Sequence, residues 1–152
     1  MNKIFSLVTF IIMVSYVSAD LKETDKITGS SVSMRETRLD SNYSALEISI
    51  AFDKIIVHCG SGYSITIVGD DNIVPHIITK VKDDVLYISS EQEFETKVES
   101  VLTIYAQTLD TLSFYGVGEM TVDKLDNKVF YCDFMGVGSC TLTGKVNNFT
   151  MN

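Results

Sequence analysis

From Leu46 onward the chain alternates between apolar and polar positions. Leu46, Ile48 and Ile50 fall on one side, as do Ile55, Val57 and Cys59, and then Tyr63, Ile65 and Ile67. Successive side chains of a strand point to opposite faces, so this two-residue period predicts half-buried strands. "VLYIS" at 85–89 and "VLTIYA" at 101–106 predict two more. "GSG" at 60–62 and "GDDN" at 69–72 read as turns, because Gly and Asn tolerate conformations that other residues avoid. The second turn also predicts one short helix near 72–78, over "IVPHI", capped by Asp70, Asp71 or Asn72. No long helical period occurs, so the chain is expected to be all-β.

One line is written twice. "LSFYGVGEM" at 112–120 returns as "CDFMGVGSC" at 132–140, with Phe, Gly, Val and Gly in register. Alternate positions are apolar or Gly in both copies: Leu112, Phe114, Gly116, Gly118, Met120, then Cys132, Phe134, Gly136, Gly138, Cys140. "DKLDNKVF" at 123–130 and "GKVNNFTM" at 144–151 extend the match at a spacing of 21. A fixed period with one apolar face predicts a single-stranded β-helix, a β-solenoid of 20-residue rungs in which each rung covers the next. Gly116, Gly118, Gly136 and Gly138 would mark a sharp bend or a close approach of rungs. The competing architecture is a β-sandwich with two similar hairpins. The sequence stops at Asn152, before a third Gly-x-Gly falls due, so its C-terminal end is expected to be open or truncated.

Composition narrows the function. The chain has 152 residues with 45% hydrophobic content, enough for one packed domain. Its net charge of −8 argues against nucleic acid and against an anionic membrane surface. Lys3, an apolar run "IFSLVTFIIMVSYV" and "VSAD" predict a signal peptide over 1–19, cleaved after Ala19. A polar linker over 20–28 and one domain over 29–152 would follow, with no later membrane span. The expected protein is exported: periplasmic, on the cell surface or extracellular.

Candidate chemistry is sparse. His58 and Cys59 are adjacent, and adjacent strand residues face opposite ways, which argues against a shared metal. Cys132 and Cys140 fall on the inward face eight residues apart, a separation that argues against a bridge and for buried thiols. Asn42 and Asn148 sit in glycosylation patterns that matter only in a eukaryotic host. No triad, nucleophile elbow, facing carboxylate pair or cofactor motif stands out, so neither catalysis nor a cofactor is expected. The alternation breaks at Tyr115, Val117, Met135 and Val137, which are apolar where it predicts polar. Stacked side by side they would form an apolar ladder, which either is covered within the chain by the lead-in segment or a neighbouring strand or is a candidate surface for a partner or a second copy.

The run from "RETRLDSNYS" through "FD" at 52–53 and "GDDN" at 69–72 to "YGVGEM" and "MGVGSC" resembles the bacterial head GIN domain family, the putative auto-transporter adhesins. The resemblance covers about 29–152 and implies a β-helical fold outside the cytoplasm with no established catalysis. Members carry an acid after the second Gly of each line; Glu119 fits that pattern and Ser139 departs from it. The resulting expectation is a non-catalytic binding, adhesion or envelope protein, whose partner is an unnamed surface ligand or envelope component. The alternatives are a carbohydrate-active solenoid enzyme and a subunit of a homo-oligomer.

Overall fold

The structure is a computed structural model and describes residues 26–39 and 41–152. The expected signal peptide, and the expected linker as far as residue 25, lie outside the described residues. In chain order the strands are β1 (Ile27–Thr28), β2 (Ser33–Leu39), β3 (Ala45–Ile48), β4 (Lys54–Cys59), β5 (Ser64–Asp70), β6 (Ile78–Lys82), β7 (Val85–Ser89), β8 (Phe94–Glu95), β9 (Val101–Ala106), β10 (Thr111–Phe114), β11 (Val117–Phe134) and β12 (Val137–Met151). β1 pairs with β8 as a small separate ribbon. The other ten strands form one mixed sheet, ordered β2-β5-β9-β4-β11-β10-β3-β7-β6, with β12 running along the other side of β11. The sheet curls into a half-barrel.

This overturns the β-solenoid of regular 20-residue rungs. The 20-residue offset relates only β10 to the end of β11, and β11 to β12 as far as Val122 and Leu142; beyond a register shift the partners there are 19 apart, Asp126 with Lys145 and Phe130 with Phe149, not the expected 21. Elsewhere the neighbours come from much further along the chain: Leu46 lies beside Leu86 and Leu112, and Ile55 beside Leu102 and Met120. Three pairs, β2–β5, β5–β9 and β6–β7, are antiparallel, which a single winding strand cannot produce. The cause is local. The turn after β4 places Gly60 and Gly62 at φ 88° and 62°, sending β5 back the other way. β9 then inserts between β4 and β5. Asp83 and Asp84, at φ 51° and 66°, make the two-residue hairpin between β6 and β7. The helix expected near 72–78 reduces to one 3-10 turn, Val74–His76, whose N-cap Ile73 offers no side-chain oxygen.

The alternation does fix which side chains point inward. Four rows cross the sheet: Ile67, Leu102, Ile55 and Met120; Ile65, Ile104, Val57 and Val122; Leu86, Leu46, Leu112 and Cys132; Ile88, Ile48 and Phe114. All these residues are buried. Each fully buried Ile, Leu or Phe contributes about 1.5–3 kcal/mol over leaving it in water, so the rows, not the short strands, hold the sheet. The last row continues to half-buried Phe134. Burial thins towards β12, where Phe149 and Met151 are 50% and 52% exposed.

Candidate functional site

The repeated glycines build a corner. Between Phe114 and Val117, and again between Phe134 and Val137, the chain leaves one flank of the half-barrel for the next. Gly118 and Gly138 have φ of 152° and 139°, which favour glycine. At Gly116, Gly118, Gly136 and Gly138 an added Cβ would run into a backbone carbonyl oxygen of the neighbouring segment: Ile50, Phe52, Gly116 and Gly118 respectively. Bend and close approach therefore occur together. The corner is tied by Tyr115 N–H to Ile48 C=O (2.9 Å), Met135 N–H to Phe114 C=O (3.0 Å) and Val137 N–H to Gly116 C=O (3.0 Å).

The four apolar residues stand on the outside of this corner. Tyr115, Val117, Met135 and Val137 are 44%, 53%, 68% and 69% exposed. Val117 and Val137 are direct register partners, so the ladder is continuous from one line to the next.

A groove of about 650 Å³ adjoins the ladder at Val117. Ile50 and Ala51 are apolar lining residues; Phe94, Lys26, Glu91, Gln92 and Glu93 also line it. The side that carries Lys26 and Phe94 is the β1–β8 ribbon, and the "GDDN" turn positions that ribbon. The Asp70 carboxylate is fully buried and accepts hydrogen bonds from the backbone N–H groups of Ser31 (2.8 Å), Lys97 (2.8 Å) and Val98 (3.3 Å). Burial pushes its pKa up, but these donors outweigh burial and hold it below the ordinary carboxylate value. Asn72 completes the clamp, donating to Thr28 C=O (2.9 Å) and accepting from Ser30 N–H (2.9 Å). "FD" acts similarly: Asp53 accepts from Ser100 N–H (2.7 Å) and Oγ (2.9 Å). Arg38 donates to the carbonyls of Ile77 (2.7 Å) and Val74 (3.2 Å), fastening the 3-10 turn. The groove was missed in the sequence because its walls come from segments far apart in the chain. The buried Asp and the Asn of "GDDN" were the available signal.

His58 and Cys59 face opposite ways. His58 Nδ1 lies 2.8 Å from Asp123 Oδ2 on the outer face, while Cys59 is buried. Burial, and then the Asp123 charge, push the Cys59 thiol up to about 11. Among the described residues no three of His, Cys, Asp and Glu gather where they could hold a metal, and no helix is long and apolar enough to cross a membrane. Cys132 and Cys140 are both unbridged, Cys132 buried and Cys140 half-buried.

The family model for "putative auto-transporter adhesin, head GIN domain" matches residues 42–152. The chain belongs to the head GIN domain family. Its fold is similar to that of three solved structures. A putative adhesin of Bacteroides fragilis has a TM-score of 0.73 at 22% identity, over 82% of this chain and 60% of the other. A putative adhesin of Parabacteroides merdae has a TM-score of 0.62 at 14% identity, over 84% and 61%. A putative lipid binding protein of Parabacteroides distasonis has a TM-score of 0.60 at 13% identity, over 84% and 63%. At these identities the likeness concerns the fold alone, and this head GIN domain spans about three-fifths of each structure's length. Among curated proteins none matches the chain. Membership of an adhesin family supports a binding role for this head GIN domain and a place at the surface or outside the cell.

Proposed function

We propose that this head GIN domain is an exported, non-catalytic binding module whose contact surface is the ladder of Tyr115, Val117, Met135 and Val137 together with the groove beside Val117. One observation carries the proposal: four large apolar side chains stand exposed on a corner where glycines let backbone segments approach closely. Exposed apolar area next to fixed polar groups is the usual composition of a binding surface. The groove's Phe94 and Val117 with the carboxylates and amide of Glu91, Gln92 and Glu93 suit a ligand presenting apolar and hydroxyl faces side by side, as surface carbohydrates do. Export is supported by the apolar run near the N-terminus and by the family description. A secreted form beginning at Asp20 would establish it; recovery of the uncleaved chain from the cytoplasm would refute it. The binding test is a glycan array with the wild type and the Tyr115→Ser/Met135→Ser double variant. The expected result is at least tenfold weaker retention by a folded double variant; equal retention removes the ladder from the role.

A second reading, self-assembly, is favoured by β12. The described chain places no strand on the far side of β12. An apolar cavity of about 280 Å³ opens there, lined by Leu125, Phe130, Leu142, Val146 and Phe149. From Val137 to Asn152 the only charged side chain is Lys145, so this edge lacks the charges that normally discourage strand pairing. Light scattering across a concentration series distinguishes the two: assembly requires a mass that rises with concentration, while a binding module stays at one mass.

A further inference from the structure

We propose that the contact surface is one track across five strand ends, reaching from Met135 to Ile78, and that its ligand is a linear, uncharged glycan several sugars long. The inference rests on the binding reading above and adds to it the length and charge of the ligand. At one rim of the half-barrel the strand ends stay in register past the last inward row. Met135 N–H donates to Phe114 C=O (3.0 Å), Tyr115 N–H to Ile48 C=O (2.9 Å) and Ser49 N–H to Ile88 C=O (3.0 Å), and Ile78 is the register partner of Ser89. Met135, Tyr115, Ser49, Ser89 and Ile78 therefore stand side by side in strand order. Phe114, Ile48 and Ile88 are buried inward, so the residue that follows each of them points outward, and Ile78 shares the face of Ser89. The row is apolar at both ends and carries two hydroxyls in its middle. Its four strand intervals, at about 4.8 Å each, add up to roughly 19 Å, more than a single sugar ring can span.

Polar groups flank the row where it leaves the ladder. A recess of about 250 Å³ lies at its far end, lined by His76 and Ile78 together with Glu91 and Gln92. Glu91 and Gln92 also line the groove beside Val117, so the two recesses adjoin along one loop. A carboxylate accepts from sugar hydroxyls, whereas an amide or an imidazole both donates and accepts. Tyr115, Met135 and Ile78 supply apolar area for the CH faces between those hydroxyls. Charge selects further. Glu91 and Glu93 outnumber Lys26 in the groove, a balance that repels uronate- or phosphate-bearing chains. The backbone selects against an extended peptide. The N–H groups of Met135, Tyr115 and Ser49 are already bonded within the sheet, so none is left there for strand addition.

The test is an array of linear glucans, mannans and galactans from disaccharide to octasaccharide, with uronate chains and extended peptides printed beside them. Wild-type retention is expected to rise at least tenfold from disaccharide to octasaccharide in one of the neutral series. His76→Ala/Ile78→Ser changes two exposed side chains at the far end of the track and is expected to abolish that rise while melting as the wild type does. Ser49→Leu, which removes a hydroxyl and blocks the middle of the row, is expected to do the same and serves if the first variant fails to fold. Retention independent of length, or a rise that survives in the folded variants, overturns the track and leaves the ladder as the binding surface. A wild type that retains only peptides or only uronate chains, or that retains nothing, overturns both the track and the carbohydrate reading beneath it.

Discussion

The ring of Phe114 lies 5.0 Å from the ring of Phe134, and Gly136 is the residue that makes room for it. A Cβ on Gly136 would stand 2.6 Å from Phe114 Cε1 and would also meet the carbonyl oxygen of Gly116. A backbone oxygen cannot swing aside as a flexible side chain can. Gly136→Leu is therefore expected to destabilise the protein by at least about 3 kcal/mol, at the upper end of overpacking costs. Urea denaturation monitored by circular dichroism measures it; a midpoint equal to wild type would show that the corner is loose.

The Asp70 clamp predicts a pH dependence with a definite sign. Asp70 titrates below its ordinary value when folded, so the unfolded chain binds its proton more readily. Its stabilisation is present above the unfolded carboxylate pKa of about 3.9 and is lost as pH falls through the lower folded value. Asp70→Ala, which leaves three backbone donors without their acceptor, is expected to cost on the order of 2–4 kcal/mol at neutral pH. That gap should narrow in acid. Urea titrations of both proteins at neutral pH and near pH ~3 test this; a gap that widens in acid would contradict it.

Much of the core was legible in the residues and little of the sheet order was. The alternation at Leu46, Ile48, Ile55 and Val57 identifies inward positions because a strand's geometry is local. Phe114 and Phe134 are register partners because the repeat there is short and unbroken. The same alternation is silent on which strand lies beside which. That Leu102 sits against both Ile55 and Ile67 depends on two turns and an insertion, none of which leaves a periodic trace. The exposed ladder was visible as a fault in the alternation. The groove was not, since Lys26, Ile50, Glu91 and Val117 share no pattern.

Phe130 and Phe149 stack with ring centroids 6.1 Å apart, yet their surroundings differ. Phe130 is fully buried and Phe149 is 50% exposed. Phe130→Ala is expected to cost about 3–5 kcal/mol, as for a core aromatic, and Phe149→Ala less than about 1 kcal/mol. Thermal unfolding of the two variants at low protein concentration checks the contrast. A large loss for Phe149→Ala that grows with protein concentration would mean that the β12 edge is covered by another copy.

Gly29 links the fold to the groove most directly. A Cβ there would stand 2.5 Å from Asp70 Cγ, inside the clamp that holds the β1–β8 ribbon. The carboxylate is already committed to three backbone donors, so the ribbon should yield before the carboxylate does. In Gly29→Ala the hydrogen bonds Ile27 N–H to Glu93 C=O (2.9 Å) and Gly29 N–H to Glu95 C=O (2.8 Å) should weaken. Hydrogen exchange at the amides of residues 27 and 29 is expected to rise at least tenfold, while the amides of β4 and β9 in the sheet stay protected. If the groove contributes to binding, ligand retention falls in the same variant although the sheet is intact. Unchanged exchange at residue 27 would show that the ribbon does not depend on Asp70.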